Sequence, residues 1–276
     1  MTSEAVRSYY ASFGEREWTR LTTPIGAIEF AVNCHALVKH LPSNARVLDI
    51  GGGPGRYALW LAERGHRVIL ADLSSELLAI ARRKAAEFPS GTLIEEIVEA
   101  DAQDLSRWDD DSFDAVLSLG PFYHLPNPAD RERAAGELSR VVRPSGLAFV
   151  AFMTRYSFLR RTMAVPDERR HLTQQEFVER LLEEGVFIND VAGRFTHGYG
   201  AHPEEIAPFF EQYGFEMLEL LASESIAGGI QDPLAEMSTD IPEAYQVALD
   251  LILRIASDQS ILGMSDHLLY VGKKAS

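Results

Sequence analysis

The middle of the chain alternates short apolar runs with longer amphipathic stretches. The short runs lie at 46–50, 67–71, 113–119 and 147–152, and a further strand pattern lies within 92–100. The stretches between them have the spacing of amphipathic helices and lie at 57–65, from the capping Ser74 or Ser75 to about 88, and at 130–142. Buried strands that alternate with helices predict a parallel sheet joined by right-handed crossovers.

The segments outside this alternation follow other patterns. Residues 1–45 are helical in pattern, with an aromatic cluster near the start and a stop at Pro42. Residues 154–204 are polar and mostly helical in pattern, which we interpret as an insertion that forms a lid. The last two strand patterns, 215–221 and 267–271, lack a short crossover helix between them, so an antiparallel edge pair is expected.

These patterns predict an α/β fold that forms one structural domain overall. Its core is expected to be a seven-stranded, mostly parallel sheet with an antiparallel C-terminal edge hairpin, built from residues 46–153 and 205–276. An N-terminal helical cap, 1–45, and the helical lid insertion, 154–204, are expected to complete it.

Charge and composition limit the classes of molecule that the protein is expected to bind. The 276 residues include 26 basic and 41 acidic ones, and a net charge of −15 disfavours nucleic acid and anionic membranes as partners. No apolar run reaches the roughly 18 residues of a membrane span, and the start lacks an apolar signal core. The single Cys34 cannot form an internal disulfide. We therefore expect a cytoplasmic protein, monomer or homodimer, that acts on a small molecule.

A glycine-rich loop follows the first strand. Its glycines are spaced Gly51-x-Gly53-x-Gly55, whereas the dinucleotide fingerprint would need a glycine at the position of Arg56. The usual Lys-Ser/Thr of a phosphate loop is also missing after the last glycine. Asp49 lies within the strand just before the loop, where its carboxylate would repel a pyrophosphate and favour a cationic group.

Two further acids end the next two strands. Asp72 lies 21 residues after Gly51, where a carboxylate can accept hydrogen bonds from two ribose hydroxyls. Asp101 ends the third strand. Because the carboxyl ends of parallel strands line one crevice, Asp72 and Asp101 are expected to face the same ligand.

Together these residues resemble the class I S-adenosylmethionine-dependent methyltransferases, strongly over residues 44–153. The motifs that carry the resemblance are Val47-Leu-Asp-Ile-Gly-Gly-Gly-Pro-Gly55, Leu70-Ala-Asp-Leu-Ser74, Glu99-Ala-Asp-Ala102, Phe113-Asp-Ala-Val-Leu-Ser-Leu119 and Arg143-Pro-Ser-Gly-Leu147. The resemblance implies a Rossmann-like sheet and a methyltransferase whose cofactor is S-adenosylmethionine.

The resemblance also implies roles for single residues toward the adenosine part of the cofactor. Asp72 would bind the ribose diol, and Leu73 would pack on the adenine ring. Asp101 would accept a hydrogen bond from the adenine amino group, and the Ala102 amide would bond to a ring nitrogen.

Toward the methionine part, the resemblance implies that the backbone at Gly51 and Gly53 holds the cofactor and that Leu119 lies near it. In many small-molecule members an N-terminal cap places an aromatic ring over the sulfonium and an arginine against the cofactor carboxylate. The candidates here are Tyr9, Tyr10 and Arg20. The alternative for each is an amphipathic helix that only packs its aromatic residues.

The segment after the fourth strand bears on the acceptor. Methyltransferases of base or glutamine amino groups usually carry Asn or Asp before Pro-Pro and an aromatic, but Gly120 stands at that position. Methyl transfer is an in-line substitution at carbon that needs alignment and, for some acceptors, a base. Tyr123 and His124 follow at the crevice, with Tyr10 from the cap and His197 from the lid as further catalytic candidates. The alternative for His124 is that it orients its loop or contacts the cofactor, and the alternative for His197 is a surface or packing role.

The acceptor therefore stays open as an oxygen, nitrogen or carbon nucleophile of a small molecule, including an aromatic or secondary metabolite such as an indole-like ring. No cluster with metal-ligand spacing is evident, so no metal is expected. The arginines of 155–170 are either a solvated helix face or the mouth for an anionic substrate. Two other functions are kept as alternatives: a non-catalytic cofactor-binding partner protein, and a nicotinamide-dependent oxidoreductase.

Overall fold

The computed structural model of the chain describes residue 7 and residues 13–87, 94–191 and 197–276. Within these residues the strands are β1 Arg46–Ile50, β2 Arg67–Asp72, β3 Ile94–Glu99, β4 Phe113–Ser118, β5 Val142–Thr154, β6 Val186–Ile188, β7 His197–Ala201, β8 Phe215–Ala222 and β9 His267–Lys274. The α-helices are α1 Glu15–Arg20, α2 Pro24–His40, α3 Arg56–Glu63, α4 Ser75–Ala86, α5 Pro128–Val141, α6 Arg155–Ala164, α7 Gln175–Glu179, α8 Pro203–Glu211, α9 Gln231–Asp240, α10 Pro242–Ile255 and α11 Gln259–Leu262.

The main sheet has the order β3-β2-β1-β4-β5-β9-β8. The first five strands pair in parallel, β9 runs antiparallel to β5, and β8 runs antiparallel to β9. This confirms the predicted mostly parallel, Rossmann-like sheet with an antiparallel edge pair formed by the last two strands of the main sheet.

The sheet is covered on both faces by two apolar clusters. Successive residues of β1 point to opposite faces, so Val47 joins one cluster and Leu48 the other. The first cluster packs α2, α3 and α10 on the sheet, as with Ile28, and the second packs α5 and α8, as with Phe210. Burial on both faces explains why these strands are continuous apolar runs.

Residues 154–204 differ from the expected helical pattern, because part of the segment forms strands. β6 and β7 form an antiparallel pair, and β7 pairs in parallel with the end of β5 at Met153 and Thr154. Gly200 allows this approach, since a Cβ there would lie 2.9 Å from the Arg155 backbone. Strands of three and five residues give too short a pattern to distinguish from helix.

The arginines of 155–170 are engaged in internal contacts. Arg155 is buried and donates two bonds of 2.6 and 2.8 Å to the Glu205 carboxylate. Three further ion pairs join Arg160 to Asp266, Arg161 to the buried Glu168, and Arg170 to Asp190, while Arg169 donates to the carbonyls of Met163 and Ala164. Arg155, Arg160 and Arg161 are thus tied into the fold, whereas Arg169 and Arg170 lie on the exposed surface, as the alternative of a solvated face predicts for them.

No helix among the described residues combines the length and the apolar character needed to cross a membrane.

Candidate functional site

A cleft opens at the carboxyl ends of β1, β2, β3 and β4. The chain leaves β1 toward β2 on one side and β4 lies on the other, so the cleft is at the switch point where α/β proteins bind ligands. The cleft brings together most of the predicted cofactor and catalytic residues: Arg20, Asp49, Gly51, Gly53, Asp72, Leu73, Asp101, Ala102, Leu119, Tyr123 and His124. Glu17 and Glu29 complete one wall.

The glycine loop forms the floor of this cleft. Gly51 has a φ of 73°, which disfavours any side chain, and a Cβ there would lie 2.6 Å from the Pro121 ring. The Gly51 and Gly52 amides donate to the Ala71 carbonyl at 2.8 and 3.2 Å, which fixes the loop to the end of β2. The loop therefore presents bare backbone to the cleft.

Asp72 is held at the end of β2 by backbone donors. Its Oδ2 accepts from the Gly53 amide and its Oδ1 from the Ser74 amide, each at 2.8 Å. Burial raises the pKa of Asp72 to about 6, although these two hydrogen bonds act in the opposite direction. The carboxylate is thus oriented by the loop and by the start of α4, and its remaining lone pairs are available to hydroxyl donors.

Asp49 is the most informative residue of the cleft. Its side chain is 1% exposed, and neither carboxyl oxygen has a hydrogen-bond partner among the described residues. Burial, together with the nearby charge of Asp72, raises the pKa of Asp49 to about 7, although the backbone amide of Ala58 acts in the opposite direction. A buried carboxyl group without a partner is costly, and a cation in the cleft would compensate it. The site therefore fits a cationic, ribose-bearing cofactor.

The far wall of the cleft carries the predicted adenine contacts. Asp101 accepts from the Gln103 amide at 2.9 Å, which orients its carboxylate, and Ala102 follows directly. Leu73 lines this part of the cleft as a half-buried apolar residue, and Leu119, after β4, lines the cleft near the glycine loop's side of the sheet. This apolar wall with a polar edge suits a flat heteroaromatic ring.

Arg20 reaches the cleft from α1 and is already paired with two carboxylates. Its Nε donates to Glu17 at 2.9 Å and its Nη1 to the buried Glu29 at 2.5 Å. Its Nη2 also donates to Glu29, at 3.5 Å, so the predicted contact with a cofactor carboxylate would have to use the Nη hydrogens that Glu29 does not accept. Tyr9 and Tyr10 lie outside the described residues, so their predicted roles stay predictions.

Tyr123 and His124 lie on a short 3-10 turn, Pro121–His124, that follows β4. Tyr123 donates its phenol hydrogen to the Leu119 carbonyl at 3.1 Å, and burial raises the pKa of this phenol above its usual range. Burial lowers the pKa of His124 to about 3, so this imidazole is neutral at physiological pH. His124 is thus a much weaker base than the ordinary value near 6.5 suggests.

His197 is not part of the cleft. It begins β7 and lines a different cavity, with Pro126, Arg131 and Ile188 among its neighbours. Tyr199, on the same strand, is held by Arg131 over its ring and by a hydrogen bond to Glu205 at 3.2 Å. Neither residue is placed where it would touch a ligand of the cleft.

The sequence interpretation missed a polar group beside the cleft. His267, at the start of β9, and Glu224, just after β8, form a pair at 2.6 Å next to Glu29. Their only signal in the sequence is that each lies at the end of an apolar strand pattern, and 43 residues separate them. The antiparallel register of β8 and β9, with Ala222 opposite Leu268, brings them together.

Comparison with known proteins identifies this arrangement. A family model described as a methyltransferase domain matches residues 48–150. The chain is 30% identical over 194 residues to a ubiquinone biosynthesis O-methyltransferase of Xanthomonas axonopodis pv. citri (strain 306), covering 70% of this chain and 69% of that protein.

Two further similarities show the breadth of the relatives. A tRNA 5-carboxymethoxyuridine methyltransferase of Escherichia coli (strain K12) is 34% identical over 124 residues, 44% of this chain and 45% of that protein. Among solved structures, an S-adenosylmethionine-dependent methyltransferase of Methanosarcina mazei superposes with a TM-score of 0.59 over 87% of this chain and 97% of that chain. At 18% identity, that structure supports the fold alone.

Proposed function

The chain belongs to the class I S-adenosylmethionine-dependent methyltransferases, and from this membership we propose that it methylates a hydroxyl group of a small aromatic molecule. The enzyme uses S-adenosylmethionine, which supplies a methyl group already activated on a sulfonium. The single observation that carries the cofactor site is the buried, unpartnered Asp49 carboxylate beside the glycine loop.

We propose specific roles for the residues of the cleft. Asp72 accepts hydrogen bonds from the ribose hydroxyls, and Leu73 packs on the adenine. Asp101 accepts a hydrogen bond from the adenine amino group, and the Ala102 amide donates to a ring nitrogen. Gly51, Gly53 and Leu119 enclose the methionine part, and Asp49 compensates positive charge there. Support comes from the orientation of Asp72 by two backbone amides and from the shared cleft.

Two observations support the proposed acceptor: the net negative charge of the chain and the similarity to one O-methyltransferase. A net charge of −15 and internally paired arginines disfavour a polyanionic substrate. The relative from Xanthomonas that matches 70% of this chain is an O-methyltransferase of ubiquinone biosynthesis, which supports a phenolic or quinol-like acceptor. We propose that residues 154–204 serve as the lid that selects this acceptor.

The relative from Escherichia coli acts on a tRNA nucleoside, so the expected absence of a nucleic-acid substrate needs a direct test. Labelled-methyl S-adenosylmethionine is offered to the full chain with catechol, hydroquinone, indole or total tRNA, and the product is identified by mass spectrometry. We expect label on a phenolic oxygen. Label on tRNA alone, or on the indole alone, would overturn the proposed acceptor.

Two variants accompany this experiment. Asp72→Asn should lose transfer to every acceptor, since it disturbs the cofactor site. Glu63→Gln, at an exposed position of α3, should behave like the unmodified chain.

A further inference from the structure

A second cavity adjoins the cofactor cleft. It lies between α1, α2, the end of β5 and the start of β9, and its lining includes Thr23, Met153, Ser157, Gln231 and His267. Arg20 and Glu29 line both the cleft and this cavity, so the two spaces meet at the Arg20–Glu29 ion pair. A molecule in the second cavity would therefore lie beside the cofactor.

His267 is fixed in this cavity by the buried Glu224. The Glu224 Oε2 accepts from the His267 amide at 2.7 Å and from the Ser265 hydroxyl at 2.9 Å. The Ser265 oxygen itself accepts from the Glu224 amide, so its hydrogen is directed to the carboxylate. With these donors on Oε2, Glu224 serves as a hydrogen-bond acceptor, and the His267 Nδ1, at 2.6 Å from Oε1, carries a hydrogen.

This arrangement sets the state of the other ring nitrogen. When the imidazole is neutral and Nδ1 carries the hydrogen, Nε2 has a lone pair. No described residue hydrogen-bonds to Nε2, and the side chain is 20% exposed in the cavity. The ring also contacts Tyr123 of the cofactor cleft, with 5.7 Å between ring centroids. His267 thus presents an oriented base at the boundary of the two spaces.

We propose that the second cavity holds the acceptor and that His267, oriented by Glu224, is the general base that removes the proton of its hydroxyl group. This inference rests on the proposed function. Nε2 takes the O–H proton while the oxygen forms its bond to the methyl carbon. The sulfur–carbon bond breaks with its electron pair remaining on sulfur, and the proton later leaves Nε2 for solvent.

The charges around His267 favour an acceptor that enters uncharged and must lose a proton. Glu224 faces the ring from the end of β8, Glu29 from α2, Arg20 from α1, and the Tyr123 phenol from the turn after β4. Arg161 of α6 and Asp266, just before β9, line the same cavity. Although burial opposes the charged ring, the two glutamates raise the pKa of His267 to about 9. A base of this strength is close to a phenol in proton affinity, which permits near-balanced transfer.

The acidic side chains around His267, together with His267 itself, could instead bind a metal ion. Glu29, Glu224 and His267 have ligand atoms within 4.8 Å of one another. However, Glu29 accepts from Arg20, and Glu224 accepts from Ser265 and twice from His267. These carboxylates are satisfied by protein donors, so the geometry favours the base.

The test compares His267→Ala and Glu224→Gln with His35→Ala, a matched control at an exposed position of α2. His267→Ala should lower kcat with a phenolic acceptor about 100-fold or more, whereas calorimetric affinity for S-adenosylhomocysteine should stay unchanged. In the unmodified enzyme, kcat should rise with pH to about 9 as His267 loses its proton.

Glu224→Gln removes the charge that favours the imidazolium. It should shift the rise of kcat with pH to lower pH by about 1–3 units, and it should lower the maximum kcat that is reached at high pH. Imidazole NMR of the protein without acceptor should report the same shift and show hydrogen on Nδ1. This readout does not depend on turnover, and Glu224→Gln keeps the test informative where His267→Ala fails to fold.

The outcomes separate the two proposals. If the unmodified enzyme methylates no phenolic acceptor, the proposed function fails. Suppose that the unmodified enzyme does methylate a phenolic acceptor. If His267→Ala then keeps the kcat of the unmodified enzyme, or if Glu224→Gln changes neither the pH dependence of kcat nor the NMR titration, the role of His267 is wrong and the proposed function stands.

Discussion

At the scale of single residues, the cofactor cleft depends on the buried Asp49 and the half-buried Asp72, whose negative charges repel each other. Asp49 has no partner among the described residues, whereas Asp72 is oriented by the amides of Gly53 and Ser74. Burial raises the pKa of both groups, to about 7 for Asp49 and about 6 for Asp72. A cation in the cleft favours their ionised forms, so binding of the cofactor and loss of protons should be linked.

This linkage predicts a pH dependence of cofactor affinity. Below pH 7, Asp49 is mostly protonated without ligand, so binding of S-adenosylmethionine must release a proton. The dissociation constant should therefore fall as pH rises from 6 to 8, by up to about tenfold per unit below the pKa. Calorimetry in buffers of different ionisation enthalpy measures both the affinity and the proton release.

Asp49→Asn serves as the comparison for this pH series. The amide cannot titrate, so most of the proton release between pH 6.5 and 8 should disappear, and only the contribution of Asp72 nearer pH 6 should remain. An unchanged pH profile in Asp49→Asn would remove Asp49 from the cofactor site.

Sequence identifies some of these residues better than others. Asp72 and Asp101 are predictable because an acid that follows a buried parallel strand has a fixed place relative to the crevice. Sequence does not show the raised pKa of Asp49 or the lowered pKa of His124, since both depend on burial. Glu224 and His267 meet through strand register, which no local pattern encodes.

At the scale of elements, the turn from β1 to α3 requires glycine at one position in particular. Gly51→Ala should weaken cofactor binding about 100-fold, because the new Cβ would lie 2.6 Å from Pro121 and the φ of 73° is unfavourable. Titration with S-adenosylhomocysteine measures this loss.

The matched control for this turn is Gly214→Ala. Gly214 has a φ of 79°, and a Cβ there meets no atom within 4 Å. This variant should lose about 1–3 kcal/mol of stability from backbone strain and keep its cofactor affinity. Equal affinity losses in both variants would show that strain in general, rather than the shape of the loop, limits binding.

The junction between β5, α6 and α8 gives a stability prediction. The buried Arg155 donates twice to Glu205, whose side chain is 38% exposed, and Arg155 also donates to the Gly200 carbonyl at 3.1 Å. Arg155→Ala leaves that carbonyl without its donor and should cost about 1–3 kcal/mol of unfolding free energy in denaturant titration.

Arg170→Ala is the control for that junction. Arg170 pairs with Asp190 in an exposed setting, with side chains 57% and 70% exposed, so its loss should change stability little. A similar small change in Arg155→Ala would contradict a structural role for the Arg155–Glu205 pair.

Predictability also differs among the elements. The parallel strands were predictable from their apolar runs and glycine or acidic boundaries, and their pairing is confirmed. β6 and β7 were not, because they are short, and because β7 contains Gly200, where a Cβ would lie 2.9 Å from the Arg155 backbone. Their strand form depends on the partner that β5 provides.

At the scale of the whole molecule, the net charge of −15 is unevenly distributed. Asp49, Asp72 and Asp101 gather in the cofactor cleft, Glu224 lies in the second cavity beside it, and Glu29 lines both spaces. Among the basic residues of 155–170, Arg155, Arg160, Arg161 and Arg170 each pair with a carboxylate of the same chain. The molecule therefore presents adjoining spaces suited to a cationic cofactor and to an acceptor that loses a proton.

The most direct test of this account is calorimetric titration of S-adenosylhomocysteine into the unmodified chain, Asp72→Asn and the exposed control Glu63→Gln. An amide at position 72 loses the charge-assisted bonds to the ligand and directs hydrogen toward the Gly53 or Ser74 amide. We expect micromolar binding by the chain and by Glu63→Gln, and a loss of about 100-fold in Asp72→Asn, equivalent to about 3 kcal/mol. Equal affinity in all three proteins would contradict the cofactor site.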